Sequence, residues 1–130
     1  MGKITKEMWA YAAGYVDGEG CIRIDKYTLR IEISSCYPGC LKWLEENFGG
    51  KFSLKAVAIG PTRRSYRWII NAKDAGEFLI GILPYSKEKK TQAKLAIQFL
   101  ETADKTEKAE IAAQLKALKK VIFYEKNIAN

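Results

Sequence analysis

Two acidic residues, Asp17 and Glu19, fall at the predicted C-terminal end of the first helix, and three lysines, Lys87, Lys89 and Lys90, fall just after Pro84 at the predicted start of a later one. Both placements oppose helix electrostatics. A helix C-terminus carries partial negative charge and favours cations, an N-terminus favours anions, and each misplaced charge costs about 0.3–1 kcal/mol. A divalent cation held by a carboxylate and an outward backbone carbonyl would relieve the first mismatch. A phosphate would relieve the second. Brought together, a cation site and a phosphate-directed lysine supply what metal-assisted phosphodiester cleavage needs; kept apart, they are hydrated surface charges. The chain has no histidine, which removes Ser-His-Asp and Cys-His nucleophiles and histidine metal sites. Any general base or metal ligand is therefore a carboxylate, a thiolate, a lysine or the backbone. Cys21, Cys36 and Cys40 are odd in number and lack zinc-site spacing, so a reducing, intracellular setting is expected rather than a disulfide framework.

The elements that must position these groups follow from periodicity. Met8, Trp9, Ala12, Ala13 and Val16 have helical spacing, Thr5 can cap that helix, and Gly18 and Gly20 stop it. Two alternating runs, from Cys21 and from Leu29, read as a hairpin with Ile22, Ile24, Leu29, Ile31 and Ile33 on its apolar face. Pro38 opens a helix that Gly49 and Gly50 close. A second hairpin is predicted over 51–59 and 64–71, turning at Gly60-Pro61. Further helices are predicted over 73–83, from a Ser86 cap to about 103, and from Thr106 to about 126. The α-β-β-α-β-β-α order with added C-terminal helices predicts an α+β fold: a single domain over 1–130 with a four-stranded antiparallel sheet covered by helices on one face. No apolar run approaches the length of a membrane span, so a soluble protein is expected.

The uncovered sheet face then displays Cys21, Arg23, Asp25, Arg30, Glu32 and Ser34 from the first hairpin, and Lys51, Ser53, Lys55, Arg63, Ser65 and Arg67 from the second. This is either a solvated face or a ribbon shaped for a DNA groove, where Arg and Lys reach phosphates and guanine edges. The formal charge of +7 is concentrated: residues 51–70 contribute +5 and residues 86–100 contribute +3. In the first helix Ala10, Ala13, Gly14 and Gly18 are small and lead to the acidic end. Such spacing lets two helix backbones approach, and packing against a second copy about a two-fold axis would set two Glu19 carboxylates side by side.

The segment Ala12-Ala-Gly-Tyr-Val-Asp-Gly-Glu-Gly20 resembles the signature of the LAGLIDADG homing endonucleases, matching at Ala13, Gly14, Asp17 and Gly20 and departing at Ala12, where leucine is usual. The element order, the Phe48-Gly-Gly50 helix end and the Leu83-Pro-Tyr segment followed by Lys87-Glu-Lys89 extend the likeness over about 5–105. The resemblance implies a site-specific DNA endonuclease that makes a metal-dependent double-strand break in a long pseudo-palindromic target. It implies Glu19 as the metal-binding acid with Gly18 lending a carbonyl, and Mg2+ as the cofactor, with Mn2+ or Ca2+ able to substitute for binding; no small-molecule cofactor is implied. Lys89, or Lys87 in the alternative register, would serve the scissile phosphate. Ser35, or Ser34 one residue earlier, would stand where the family often has Gln or Asn to position water. A single motif implies a homodimer, with Ala10, Ala13, Gly14 and Asp17 at its interface. The alternative within the same fold is a non-catalytic nucleic-acid binder such as an RNA-splicing maturase.

Overall fold

The computed structural model describes residues 2–61 and 63–129, with side chains described as far as residue 120. Helix α1 (Lys6–Glu19) leads into strands β1 (Gly20–Asp25) and β2 (Thr28–Ser35), helix α2 (Pro38–Phe48), strands β3 (Lys51–Ala56) and β4 (Ser65–Asn71), and helix α3 (Ala72–Ile82). A 3-10 turn over Leu83–Tyr85 precedes α4 (Lys90–Glu101) and α5 (Lys105–Ala129). Thr5 caps α1: its hydroxyl accepts the Met8 N–H at 3.1 Å, while the Met8 sulfur accepts the Thr5 N–H at 3.5 Å.

The four strands form one antiparallel sheet in the order β1-β2-β4-β3, so the two hairpins lie side by side through β2 and β4. Period-two alternation puts Ile22, Leu29, Ile31, Ile33, Trp68 and Ile70 on one face. These residues are almost wholly buried against Ala12, Ala13 and Val16 of α1, Leu41 and Leu44 of α2, and Ala75, Leu79 and Ile82 of α3. Each large aliphatic side chain removed from water stabilises the fold by about 1.5–3 kcal/mol. Trp68 is buried yet satisfied, its indole N–H donating to the Gly49 carbonyl at 2.8 Å.

Three boundaries differ from the sequence reading. Strand β3 stops at Ala56, which pairs with Ser65 at the very start of β4 across an irregularity at Lys55, and beyond it only an isolated bridge at Ile59 follows among the described residues. Val57 and Ile59 are accordingly 55% and 73% exposed, and Arg63 stands in the connecting loop rather than on a strand. Ser86 does not cap α4: its N–H and hydroxyl both donate to the Ile82 carbonyl, at 3.0 and 3.1 Å, which closes the turn before it. Helix α4 begins four residues later, at Lys90.

The junction between α1 and β1 is tight at Gly20. A Cβ there would lie 2.9 Å from the Val16 carbonyl oxygen and 3.1 Å from its Cα, and backbone atoms cannot swing aside. Gly20→Ala is expected to lower stability by about 1–3 kcal/mol through this overpacking, read from urea unfolding of the free protein.

Candidate metal and nucleic-acid site

The acidic end of α1 and the lysine segment before α4 meet. Asp17 Oδ2 accepts the backbone N–H groups of Lys87 and Glu88 at 2.8 and 3.3 Å, and Oδ1 accepts that of Lys89 at 3.1 Å. In return, Lys89 Nζ donates to the Asp17 backbone carbonyl. The N–H groups entering a helix have no partner within it, and the carbonyls leaving one are likewise unpaired. Here the acid of one helix end caps the approach to the other, and the lysine of the second end caps the carbonyl of the first. At Asp17 and Lys89 the two electrostatic mismatches thus relieve each other inside the chain, where a cation and a phosphate were expected to do so. The Asp17 carboxylate, expected at a dimer interface, is engaged within its own chain.

Glu19, two residues on, is exposed, and among the described residues it makes no hydrogen bond or ion pair. Gly18 beside it is exposed as well. The β1–β2 ladder ends with Gly20 opposite Ile33, and Ser34 and Ser35 lie beyond it on β2, paired with Arg67 and Tyr66 of β4. Ser35 Oγ accepts the Tyr37 N–H at 3.0 Å and contacts the Tyr15 side chain. Burial first, then the nearby Cys40 and Glu19, push the Tyr15 phenol above its ordinary value, with the Ser35 contact acting the other way. Tyr15, Glu19 and Ser35 therefore share one corner of the molecule. Ser34 belongs to the sheet face instead: it donates to Glu32 at 3.3 Å and accepts from Lys55 Nζ at 3.1 Å.

Among the described residues no three acidic or thiol side chains gather into a metal cage. One chain offers the Glu19 carboxylate and the adjacent Gly18 carbonyl, hard oxygen donors of the kind Mg2+ and Ca2+ take. The donor set fits such an ion. Lys89 is committed to the Asp17 carbonyl a short way along the chain, and the Lys87 side chain is exposed.

The polar sheet face is organised rather than loose. Arg23 and Arg30 lie directly opposite each other on β1 and β2, a pairing that repels unless screened. Asp25 screens it, taking Arg23 Nε at 2.8 Å and lying 3.6 Å from Arg30 Nη1, while Arg23 Nη2 reaches Glu32 at 2.9 Å. The Asp25 hydrogen bond, despite some desolvation, raises the Arg23 pKa further. Burial alone would raise that of Glu32, but Arg23, Lys55 and Ser34 outweigh it and hold the carboxyl below its usual range. Arg30 also donates to Asn71 at 3.0 Å, Arg67 to Ser53 at 3.4 Å, and the loop residue Arg63 to the Tyr37 hydroxyl at 3.0 Å. With Lys51 and Ser65 this makes a band in which Arg and Lys outnumber Asp25 and Glu32. Asn71, missed in the sequence reading, was accessible to it, since it continues the alternation of Arg67 and Ile69. Lys119, which reaches Cys21 Sγ at 3.2 Å from α5, carried no sequence signal.

Along α1 the small residues separate into two groups. Ala10, Gly14 and Gly18 repeat every fourth residue and are exposed. Ala13 faces inward and is fully buried in the core, so it is not available to a partner. A Cβ at Gly14 or Gly18 would meet no atom within 4 Å, so packing within the chain does not call for glycine at either position.

No protein-family model matches the sequence, and neither does any curated protein. Solved structures do match the fold. The homing endonuclease I-CvuI, in complex with its DNA target and 2 mM Ca, superposes with a TM-score of 0.70 at 20% identity over 87% of this chain and 82% of its own. The same enzyme on the I-CreI target with 2 mM Mg, the DNA not cleaved, gives 0.70 at 19% identity over 89% and 85%. The archaeal intron-encoded homing endonuclease I-Vdi141I, complexed with DNA, gives 0.67 at 16% identity over 84% and 82%. The chain has the α+β homing-endonuclease fold.

The two acids at the end of α1 have different surroundings, and substitution separates them. Asp17→Asn removes a charged acceptor of three N–H groups and is expected to cost about 1.5–3 kcal/mol, lowering Tm by roughly 5–10 °C. Glu19→Gln, exposed and unpaired, is expected to stay within about 0.5 kcal/mol of the parent chain. Calorimetry on both variants checks the contrast.

Proposed function

We propose that this chain is a single-motif LAGLIDADG endonuclease that binds a long duplex on its sheet face and cuts both strands as a homodimer. The observation that carries the reading is the mutual capping of Asp17 and Lys89, because it sets the exposed Glu19 and a lysine side chain at one end of a basic sheet. The DNA-bound neighbours of the same fold support it.

In this reading the Glu19 carboxylate and Gly18 carbonyl hold Mg2+, which when bound stabilises negative charge at the scissile phosphate and favours deprotonation of water. Lys89, held against the Asp17 carbonyl, keeps a positive charge at the same corner, and the exposed Lys87 lies within the same segment. Ser35, fixed by the Tyr37 N–H, presents its hydroxyl beside Tyr15, where it orients water. The Arg and Lys residues of the sheet hold the duplex through phosphates and base edges. Because Asp25 and Glu32 already set the arginines of β1 and β2, less side-chain freedom is lost on binding.

The dimer follows from the exposed stripe of α1. Glycine within a helix costs about 0.5–1 kcal/mol against alanine, and among the described residues no close packing calls for it at Gly14. Close contact with a second copy does, and it brings two Glu19 residues to one place, one for each strand. Ser35, where the family often has Gln or Asn, and Ala12, where it usually has leucine, favour a second reading, a nucleic-acid binder that does not cut.

Cleavage of a library of long randomised duplexes with Mg2+ tests the first reading. Glu19→Gln is expected to abolish cutting, a loss of at least about a thousandfold, while leaving duplex affinity within a fewfold of the parent. A parent chain that binds duplex DNA but cuts no member of the library would sink the nuclease reading. Tight binding to a structured intron RNA, unaltered by Glu19→Gln, would install the second. For the dimer, Gly14→Ala is expected to raise the unfolding free energy by about 0.5–1 kcal/mol while weakening self-association in sedimentation; unchanged association would remove the stripe from the interface.

A further inference from the structure

Helix α5 lies along the open edge of the sheet beside β1. Lys119 fixes it there, its ammonium donating to the Ile22 carbonyl at 3.0 Å and to Cys21 Sγ at 3.2 Å. Between the two elements runs a groove of about 590 Å³, walled on one side by Arg23, Ile24 and Asp25 and on the other by α5 residues that include Lys116, Lys119 and Lys120. Ala112 and Ala113 keep its floor open.

The charge in this groove is arranged against the helix's own interest. Lys116 and Lys120 are one turn apart on the same stripe of α5, where like charges destabilise a helix by about 0.2–0.5 kcal/mol. Both are exposed, and among the described residues neither has an acidic partner. Residues 111–120 contain three lysines and no acid. The one carboxylate on the groove wall, Asp25, is already taken by Arg23 and Arg30. Its opposite wall, β1, belongs to the sheet that carries the basic face, so the groove continues that face sideways past the edge strand. Local rules that fail without repair inside the chain point to an external partner, and here the missing partner is anionic and extended.

We propose that this groove seats a phosphodiester strand of the duplex lying on the sheet, with Lys116 and Lys120 each neutralising one phosphate. The proposal rests on the reading of the chain as a duplex-DNA-binding protein and adds a phosphate clamp outside the sheet. The clamp contributes affinity and register on the duplex without reading base sequence. Lys119 is the positioning residue: it holds α5 against β1 and so sets the width of the groove.

The test is the salt dependence of binding to a labelled duplex of random sequence, followed by fluorescence anisotropy across a KCl series. Each phosphate that a variant leaves unneutralised reduces the slope of log K against log salt by about 0.9, so the double variant Lys116→Gln/Lys120→Gln is expected to reduce it by about 1.8. Lys73→Gln/Lys105→Gln removes the same charge at two exposed positions outside the groove and is expected to leave the slope unchanged. Both double variants are expected to stay within about 0.5 kcal/mol of the parent stability, since all four positions are exposed. An unchanged slope in the groove variant, or an equal reduction in the control, overturns the clamp while leaving the nuclease reading standing. A parent chain with no affinity for duplex DNA overturns both.

Discussion

The structure turns on one reciprocal contact, in which the Asp17 carboxylate takes three backbone N–H groups of the 87–89 segment and the Lys89 ammonium takes the Asp17 carbonyl. An acid at a helix C-terminus and lysines at a helix entry are each unfavourable alone. Together they are complementary, because each supplies the charge and the hydrogen-bonding group that the other end lacks. The contact joins residues some seventy positions apart in sequence, so it fixes the exit direction of α1 and hence the point at which β1 enters the sheet. Gly20 permits that entry by leaving room for the Val16 carbonyl. Glu19, between the two, is exposed, and among the described residues it has no hydrogen-bonding partner.

A second consequence is rigidity on the polar face. Arg23 and Arg30 are placed opposite each other by the strand register, and Asp25 and Glu32 make that placement tolerable. The acids on a basic surface therefore act as frames for the arginines rather than as repulsive elements toward a polyanion. Ser34 and Lys55 extend the same framework across to β3, so that side chains from three strands are held before any ligand arrives. Lys116 and Lys120 differ in kind, since among the described residues no acidic side chain frames them.

Much of the layout was legible along the chain. The alternation in β1 and β2 identified the buried and polar faces residue by residue, since the period of two is a property of the extended backbone itself. The capping residue Thr5 and the helix entry at Pro38 were likewise local. Failures came where a residue's partner is distant. Ser86 has the composition of a cap, but its hydroxyl and N–H are spent on Ile82. Val57 and Ile59 continue a strand pattern beyond the end of the β3–β4 ladder at Ala56. Ala13 and Gly14 are adjacent small residues in one motif, and only the packing of α1 on the sheet assigns the first to the core and the second to the surface.

The sequence by itself determined the order of the elements, the polar and apolar faces of the first hairpin, and the signature that sets Asp17 and Glu19 two residues apart at a helix end. These are matters of local spacing, governed by the periods of helix and strand and by the few residues that start or stop them. Which acid is held and which is exposed was decided only by tertiary structure, because the N–H groups that claim Asp17 come from a segment some seventy residues along the chain. The same is true of the groove beside β1: three lysines near the end of α5 are an ordinary run of charge until Lys119 finds the Ile22 carbonyl and lays the helix along the sheet edge.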